Sequence, residues 1–139
     1  MYSRILIAND GSPGAVKALS AAIALAKRHK AALHMISVEE LPRFADTIGE
    51  LDEAKQEQNH RFAPAIEQAV AKARAARIKI ETHVLVGHAV PTIANFIKRG
   101  RHDLLVIGFM GHSALYNRLI GGTTDRLVEL APCDVLVVK

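Results

Sequence analysis

Two short runs, Ile5-Leu6-Ile7 and Leu104-Leu105-Val106-Ile107, are apolar at every residue. Successive strand side chains point to opposite faces, so a strand exposed on one face alternates apolar and polar residues, whereas an unbroken run needs cover on both faces. A parallel sheet with helices on either side provides that cover, and the intervening segments read as helices. Ser12 is a good helix N-cap and Pro13 suits the first helical position, where its missing N–H is not needed. From Pro13 to about His29, Val16, Leu19, Ile23 and Ala26 recur on one helical face while Lys17, Lys27 and Arg28 reach water.

The same reading assigns strands to Arg4–Ala8, Ala32–Val38, Ile78–Val86, the apolar run after Asp103, and Asp134–Val138. Ile78, Ile80, Thr82, Val84 and Val86 alternate with Lys79, Glu81 and His83, which predicts an edge strand with one polar face. His34, inside the second strand, reads as a hydrogen-bonded structural histidine, because no Cys or second His stands nearby at metal-ligand spacing. Leu41–Thr47 is an irregular stretch suited to a flap, and Thr47-x-x-Glu50 has the form of a capping box. A helix is predicted from about Gly49 to Ala76, with a kink or break near Asn59–Ala63 imposed by Pro64. Two more helices run from about Ala89 to Arg99 and from Thr123 to Leu130. Five strands alternating with four helices predict an α/β fold with one doubly wound, flavodoxin-like or Rossmann-like parallel sheet. Its expected strand order is 3-2-1-4-5, with right-handed crossovers.

At 139 residues the chain makes one domain, 1–139, long enough to bury a sizeable core. The net charge of +4 comes from scattered Lys and Arg, with too few aromatic residues for stacking on bases, which argues against nucleic acid. The single Cys133 has no internal disulfide partner. Neither an export signal nor an apolar run of membrane-spanning length is present, so a cytoplasmic location without membrane contact is expected.

The polar chemistry gathers in Gly108–Thr124, GFMGHSALYNRLIGGTT, between a buried strand and a helix. Glycines let backbone N–H groups approach an anion, a helix start adds a positive dipole end, and Thr123 and Thr124 add hydroxyls, so the loop suits phosphate. The alternative is that its glycines only turn the chain. Asp10 ends the first strand at the edge where open α/β sheets bind ligands; alternatively it braces the turn beside Ser12. Strand order 3-2-1-4-5 sets Asp10 beside Gly108.

Glycine, two residues, glycine, nine residues, glycine and then hydroxyl residues resembles the nucleotide-binding pattern of the universal stress protein family. ILIANDGSPGAVKAL, GHAVPTIANFI and the stretches DLLVIGFMG through APCDVLVVK extend that resemblance over nearly the whole chain. The resemblance implies a regulatory protein of the stress response that binds an adenine nucleotide, ATP with Mg2+. Carried over, Asp10 meets ribose or metal-linked phosphate and Val38 meets adenine through its backbone. Gly108, Gly111, Gly121, Gly122, Thr123 and Thr124 hold the phosphates, while Ala8, Ile107 and Met110 line the pocket. It also implies a homodimer through the C-terminal strand, whose short apolar edge calls for a partner.

Two positions differ from the family pattern. Asn9 stands where a small apolar or hydroxyl residue is common. Gly122 replaces the usual Ser, removing a hydroxyl donor worth ~0.5–1.5 kcal/mol and implying weaker binding. His112 is the one candidate general base in the loop, but an exposed loop residue lacks the defined position that a base needs, so no catalytic residue is assigned and turnover is slow or absent. The reading from a different class is a nucleotide-independent dimeric interaction protein, whose loop braces the dimer. A flavin carrier is excluded by the lack of aromatic residues to sandwich the ring.

Overall fold

A computed structural model describes residues 1–40, 61–109 and 122–139. Its strands are β1 (Arg4–Ala8), β2 (Ala32–Glu40), β3 (Glu81–Gly87), β4 (Leu104–Gly108) and β5 (Asp134–Val138). The helices among the described residues are α1 (Pro13–His29), α2 (Ala63–Ala75), α3 (Ala89–Gly100) and α4 (Thr123–Leu130). All strand pairings are parallel, in the order β3-β2-β1-β4-β5. The α/β class, the strand order and the alternation of five strands with four helices are those expected from the apolar runs.

The two faces of the sheet carry separate cores. Ile5 and Ile7 of β1 and Leu104 and Val106 of β4 pack with Leu19, Ile23 and Ala26 of α1 and Ala69 and Ala73 of α2. Leu6, Ile36, Leu105 and Ile107 face the other way, onto Val90, Ile93 and Ile97 of α3 and Leu127 of α4. This is why Ile5–Ile7 and Leu104–Ile107 hold no polar residue: neighbouring side chains enter different cores.

Several boundaries differ from expectation. β2 continues to Glu40 because β3 accompanies it to that point, with Glu40 paired to Gly87. β3 begins at Glu81, since the β2–β3 ladder opens at His34↔Glu81 and Ile78–Ile80 have no strand partner. Ile78 and Ile80 nevertheless pack against the α1 and α2 core, which explains their apolar alternation. α3 ends one residue later than expected, at Gly100. Pro64 lies in the first turn of α2, directly after the turn at Phe62, where its missing N–H costs no helical bond. The flap over Leu41–Thr47, the Thr47-x-x-Glu50 box and the earlier part of the helix lie outside the described residues.

At the N-terminal end of the sheet, the Asp103 carboxylate accepts the backbone N–H groups of Ser3 (2.8 Å) and Arg4 (3.0 Å). The neighbouring His102 is buried, stacked on Phe96 at 17° between planes and edge-on to His34 with centroids 5.1 Å apart. Burial, with the charges of His34 and Arg4 added, lowers its pKa to about 4, so the ring is neutral at pH 7. Gly100 makes room for it, since a Cβ there would lie 2.3 Å from His102 Cε1.

Cys133, in the link from α4 to β5, is half-buried, and burial followed by the Asp134 charge pushes its thiol up to about 11. The thiolate is the nucleophile, so Cys133 stays protonated and slow at neutral pH. Alkylation by iodoacetamide at about pH 8 should run at least about tenfold slower than in the urea-unfolded chain, where the thiol regains an ordinary pKa near 8.5. Equal rates in the two states would show that the thiol is not shielded.

Candidate functional site

In a parallel sheet with crossover helices, every strand ends and every following helix begins on the same edge. Here that edge carries Ala8, Val38 and Gly108 together with the starts of α1 and α4. β1 and β4 lie side by side with Ile7 opposite Val106, so Ala8 and Ile107 reach the edge together.

The turn after β1 is built by side chains that replace backbone partners. Asp10 Oδ1 accepts the N–H of Ser12 at 2.9 Å, and Asn9 Oδ1 accepts that of Gly11 at 2.9 Å. Gly11 itself takes a left-handed backbone, φ +82°. Buried Asn9 is pinned on three further sides. Its backbone N–H donates to Ile36 O (2.9 Å), its amide reaches Met35 Sδ (3.4 Å), and its carbonyl accepts the buried Ser37 hydroxyl (2.7 Å). Asn9 is therefore a structural hinge between β1 and β2, which gives its departure from the family pattern a physical reason. The bracing role of Asp10 is realised as well, through only one of its oxygens on an exposed side chain.

β2 outruns β1, and this decides what Val38 offers. A residue in a strand presents its N–H and C=O to the same side, and residues two apart share that side. Ile36 O faces β1, where it accepts the Asn9 N–H. Val38 therefore faces β1 too, but β1 ends opposite Ile36, at Ala8. Among the described residues its donor and acceptor have no partner past the end of β1, and the half-buried Ala8 and Val38 side chains pack on the adjoining core.

At β4, Gly108 lies against the first turn of α1. A Cβ on Gly108 would come 2.7 Å from Gly14 O and 2.8 Å from Gly14 C, so backbone meets backbone with no room for a side chain. The half-buried Thr124 donates its hydroxyl to Gly108 O at 3.3 Å, which ties the start of α4 to the end of β4. That length is long for a hydroxyl bond, so the group is held loosely. Thr123, the first residue of α4, is exposed, and buried Ile107 belongs to the core beneath. Gly122 caps α4 with φ −62° and ψ 157°, and no other atom of the described residues lies within 4 Å of the place where its Cβ would be. Met110, Gly111, Gly121 and His112 lie outside the described residues.

The start of α3 reaches this edge as well but is already engaged. Glu40 Oε1 accepts the Ala89 N–H at 3.0 Å while Oε2 lies 3.4 Å from His88 Nδ1. The chain's own carboxylate thus satisfies that helix terminus, whereas among the described residues neither Ser12 nor Gly122, the N-caps of α1 and α4, caps its helix with a side-chain bond. Ser37, Glu40 and the structural role of Asn9 were missed at the sequence level. A polar pair within otherwise apolar strands was the available signal for Asn9 and Ser37; Glu40 gave none.

The Universal stress protein family model matches residues 1–139. The chain belongs to the universal stress protein family. The universal stress protein YxiE of Bacillus subtilis is 30% identical over 100% of this chain and 100% of its own length. Among solved structures, the universal stress protein UspA from Lactobacillus plantarum superposes with a TM-score of 0.84 at 26% identity, covering 99% of this chain and 98% of that one. A universal stress protein in complex with cAMP gives 0.78 at 25% identity, covering 99% and 97%.

In this universal stress protein fold, Gly108 has close backbone neighbours in Gly14. Gly108→Ala should lower stability by about 1–3 kcal/mol, because the methyl meets backbone that cannot rotate away. Urea denaturation checks this, with Gly122→Ala as the control expected to stay within about 0.5 kcal/mol. A Gly108→Ala chain as stable as the parent would mean that α1 does not press on β4.

Proposed function

We propose that this universal stress protein is a regulatory module that binds an adenine nucleotide, ATP with Mg2+, across the C-terminal edge of its sheet, and turns it over slowly or not at all. The observation that carries this reading is the backbone of Val38, a donor and an acceptor presented together past the end of β1. An adenine edge offers the complementary acceptor and donor. A relative of the same fold at 25% identity was solved with cAMP, an adenine nucleotide.

The rest of the edge fits the group. Ala8 and Val38 give the base apolar contact, and exposed Asp10 keeps a carboxylate for ribose or a phosphate-bound magnesium ion. The uncapped starts of α1 and α4 favour anions, and the loosely held Thr124 hydroxyl can turn to a phosphate. Gly108, Gly111, Gly121, Gly122 and Thr123 supply backbone N–H groups along the loop, and Ile107 and Met110 complete the lining. Residues 1–139 act in this reading as a single nucleotide-binding domain in the cytoplasm.

Gly122→Ser tests the phosphate assignment. The extended backbone at this position suits a serine N-cap, and the space around it is open among the described residues. In calorimetric titration with Mg2+ present, the variant should bind ATP more tightly by no more than about tenfold, and AMP with a smaller gain. A parent chain that releases no heat with millimolar ATP would overturn the nucleotide reading. A Gly122→Ser gain equal for ATP and AMP would move the outer phosphates away from α4.

The same reading includes a homodimer through β5. This strand pairs only with β4 among the described residues, and Leu136 on it and Val128 and Leu130 on α4 are exposed. An unpaired apolar edge recruits a second strand, and a twofold copy supplies one. Light scattering at micromolar concentration should report twice the chain mass, and Val137→Pro, which removes a backbone donor, should halve it. A monomeric parent would refute the dimer without touching the nucleotide site.

A further inference from the structure

At the other end of the sheet, three metal-binding side chains converge on the α3 face. The β2–β3 ladder opens with His34 opposite Glu81 and continues with Ile36 opposite His83, so all three side chains lie on one face. His34 Nδ1 is 3.2 Å from His83 Nε2 and 3.3 Å from Glu81 Oε2, and one ligand atom from each lies within 4.8 Å of the other two. Two ligands of a tetrahedral zinc ion with bonds of about 2.0–2.1 Å stand about 3.3 Å apart, the spacing seen here on both sides of His34.

Hydrogen bonding alone leaves this arrangement short of a proton. If His34 Nδ1 carries its proton, it donates fully to Glu81 or to His83, not to both. If it does not, its lone pair faces a carboxylate. One cation at the centre satisfies all three groups. The surroundings hold the His34 ring in place: His83 stacks beside it at 7° between planes, and buried His102 stands edge-on. His102 is 5% exposed, and neither of its ring nitrogens has a hydrogen-bond partner among the described residues. Phe96 closes the other flank, tilted on His83 at 4.8 Å. Glu81 is exposed, so the cluster opens to solvent on one side and leaves a coordination position for water.

We propose that His34, Glu81 and His83 bind a divalent transition-metal ion of the zinc type at the β2–β3 edge. Ligation turns the two near-parallel rings toward a shared centre. Imidazole nitrogens select zinc, nickel or copper over magnesium, so this site differs in kind from an Mg2+–nucleotide site. It is also separate in space, since His34 precedes Val38 by four residues of extended strand, about 13 Å. The bound ion would clamp the edge strand β3 to β2.

The test uses the full chain stripped with chelator and then dialysed. Zn2+ competed against a chromophoric chelator should bind at one ion per chain, and excess Mg2+ should not displace it. His83→Gln and Glu81→Gln should each weaken Zn2+ binding at least about tenfold, with His29→Gln unchanged. Glu81 is exposed, so its variant keeps the fold even if a histidine variant does not; Zn2+ should also raise the melting temperature of the parent and not of Glu81→Gln. Absence of stoichiometric uptake, or uptake undiminished in Glu81→Gln, overturns the site.

Discussion

The first turn of α1 lies so close to the end of β4 that Gly108 and Gly14 meet as bare backbone. Much of the candidate site depends on this contact. β1 sends its chain through α1 to β2 on one side, while β4 sends its chain through α4 to β5 on the other. The strand ends therefore part at the middle of the sheet and leave a crevice. Close packing of α1 sets one helix terminus at that crevice, and α4 begins beside Gly108, whose carbonyl lies within reach of the Thr124 hydroxyl. A side chain at position 108 would separate the two.

A crevice lined by strand ends exposes backbone groups that must be satisfied or offered to a ligand. The chain treats them unequally. Around β1 they are consumed: Asn9 and Asp10 close the turn on themselves, and Ser37 secures Asn9 from the next strand. At α3 they are consumed by Glu40. Among the described residues, what remains is the backbone of Val38 on one side and the starts of α1 and α4 on the other, a neutral donor–acceptor pair and two positive dipole ends. The proposed ligand, with a flat hydrogen-bonding base and an anionic tail, rests on that division.

The opposite end of the sheet is organised differently. β3 has a neighbour on one side only among the described residues, and its polar face would leave His83 and Glu81 unsupported if β2 carried an apolar residue at position 34. Instead His34, His102 and Phe96 make an aromatic wall against which His83 rests. Buried His102 in this wall stays neutral at pH 7.

Much of the fold was legible in the residues. Ile5-Leu6-Ile7 and Leu104–Ile107 demanded two covered faces, Ser12-Pro13 marked a helix start, and the alternation of strands and helices left few topologies. Gly108 and Thr124 were legible as candidates because their spacing is local, within one strand, loop and helix. The sequence also showed that Glu81 and His83 share a face, because strand side chains repeat every two residues. Where β3 begins was decided by the tertiary structure, since a strand exists only where a partner lies beside it. Parallel pairing likewise brought His34 to His83 across 49 residues and set Ser37 on Asn9 across 28, and no local spacing encodes such contacts. The opening of the Val38 backbone belongs to that class too, for it depends on β1 stopping two residues short, and only the register of two neighbouring strands fixes where one ends against the other.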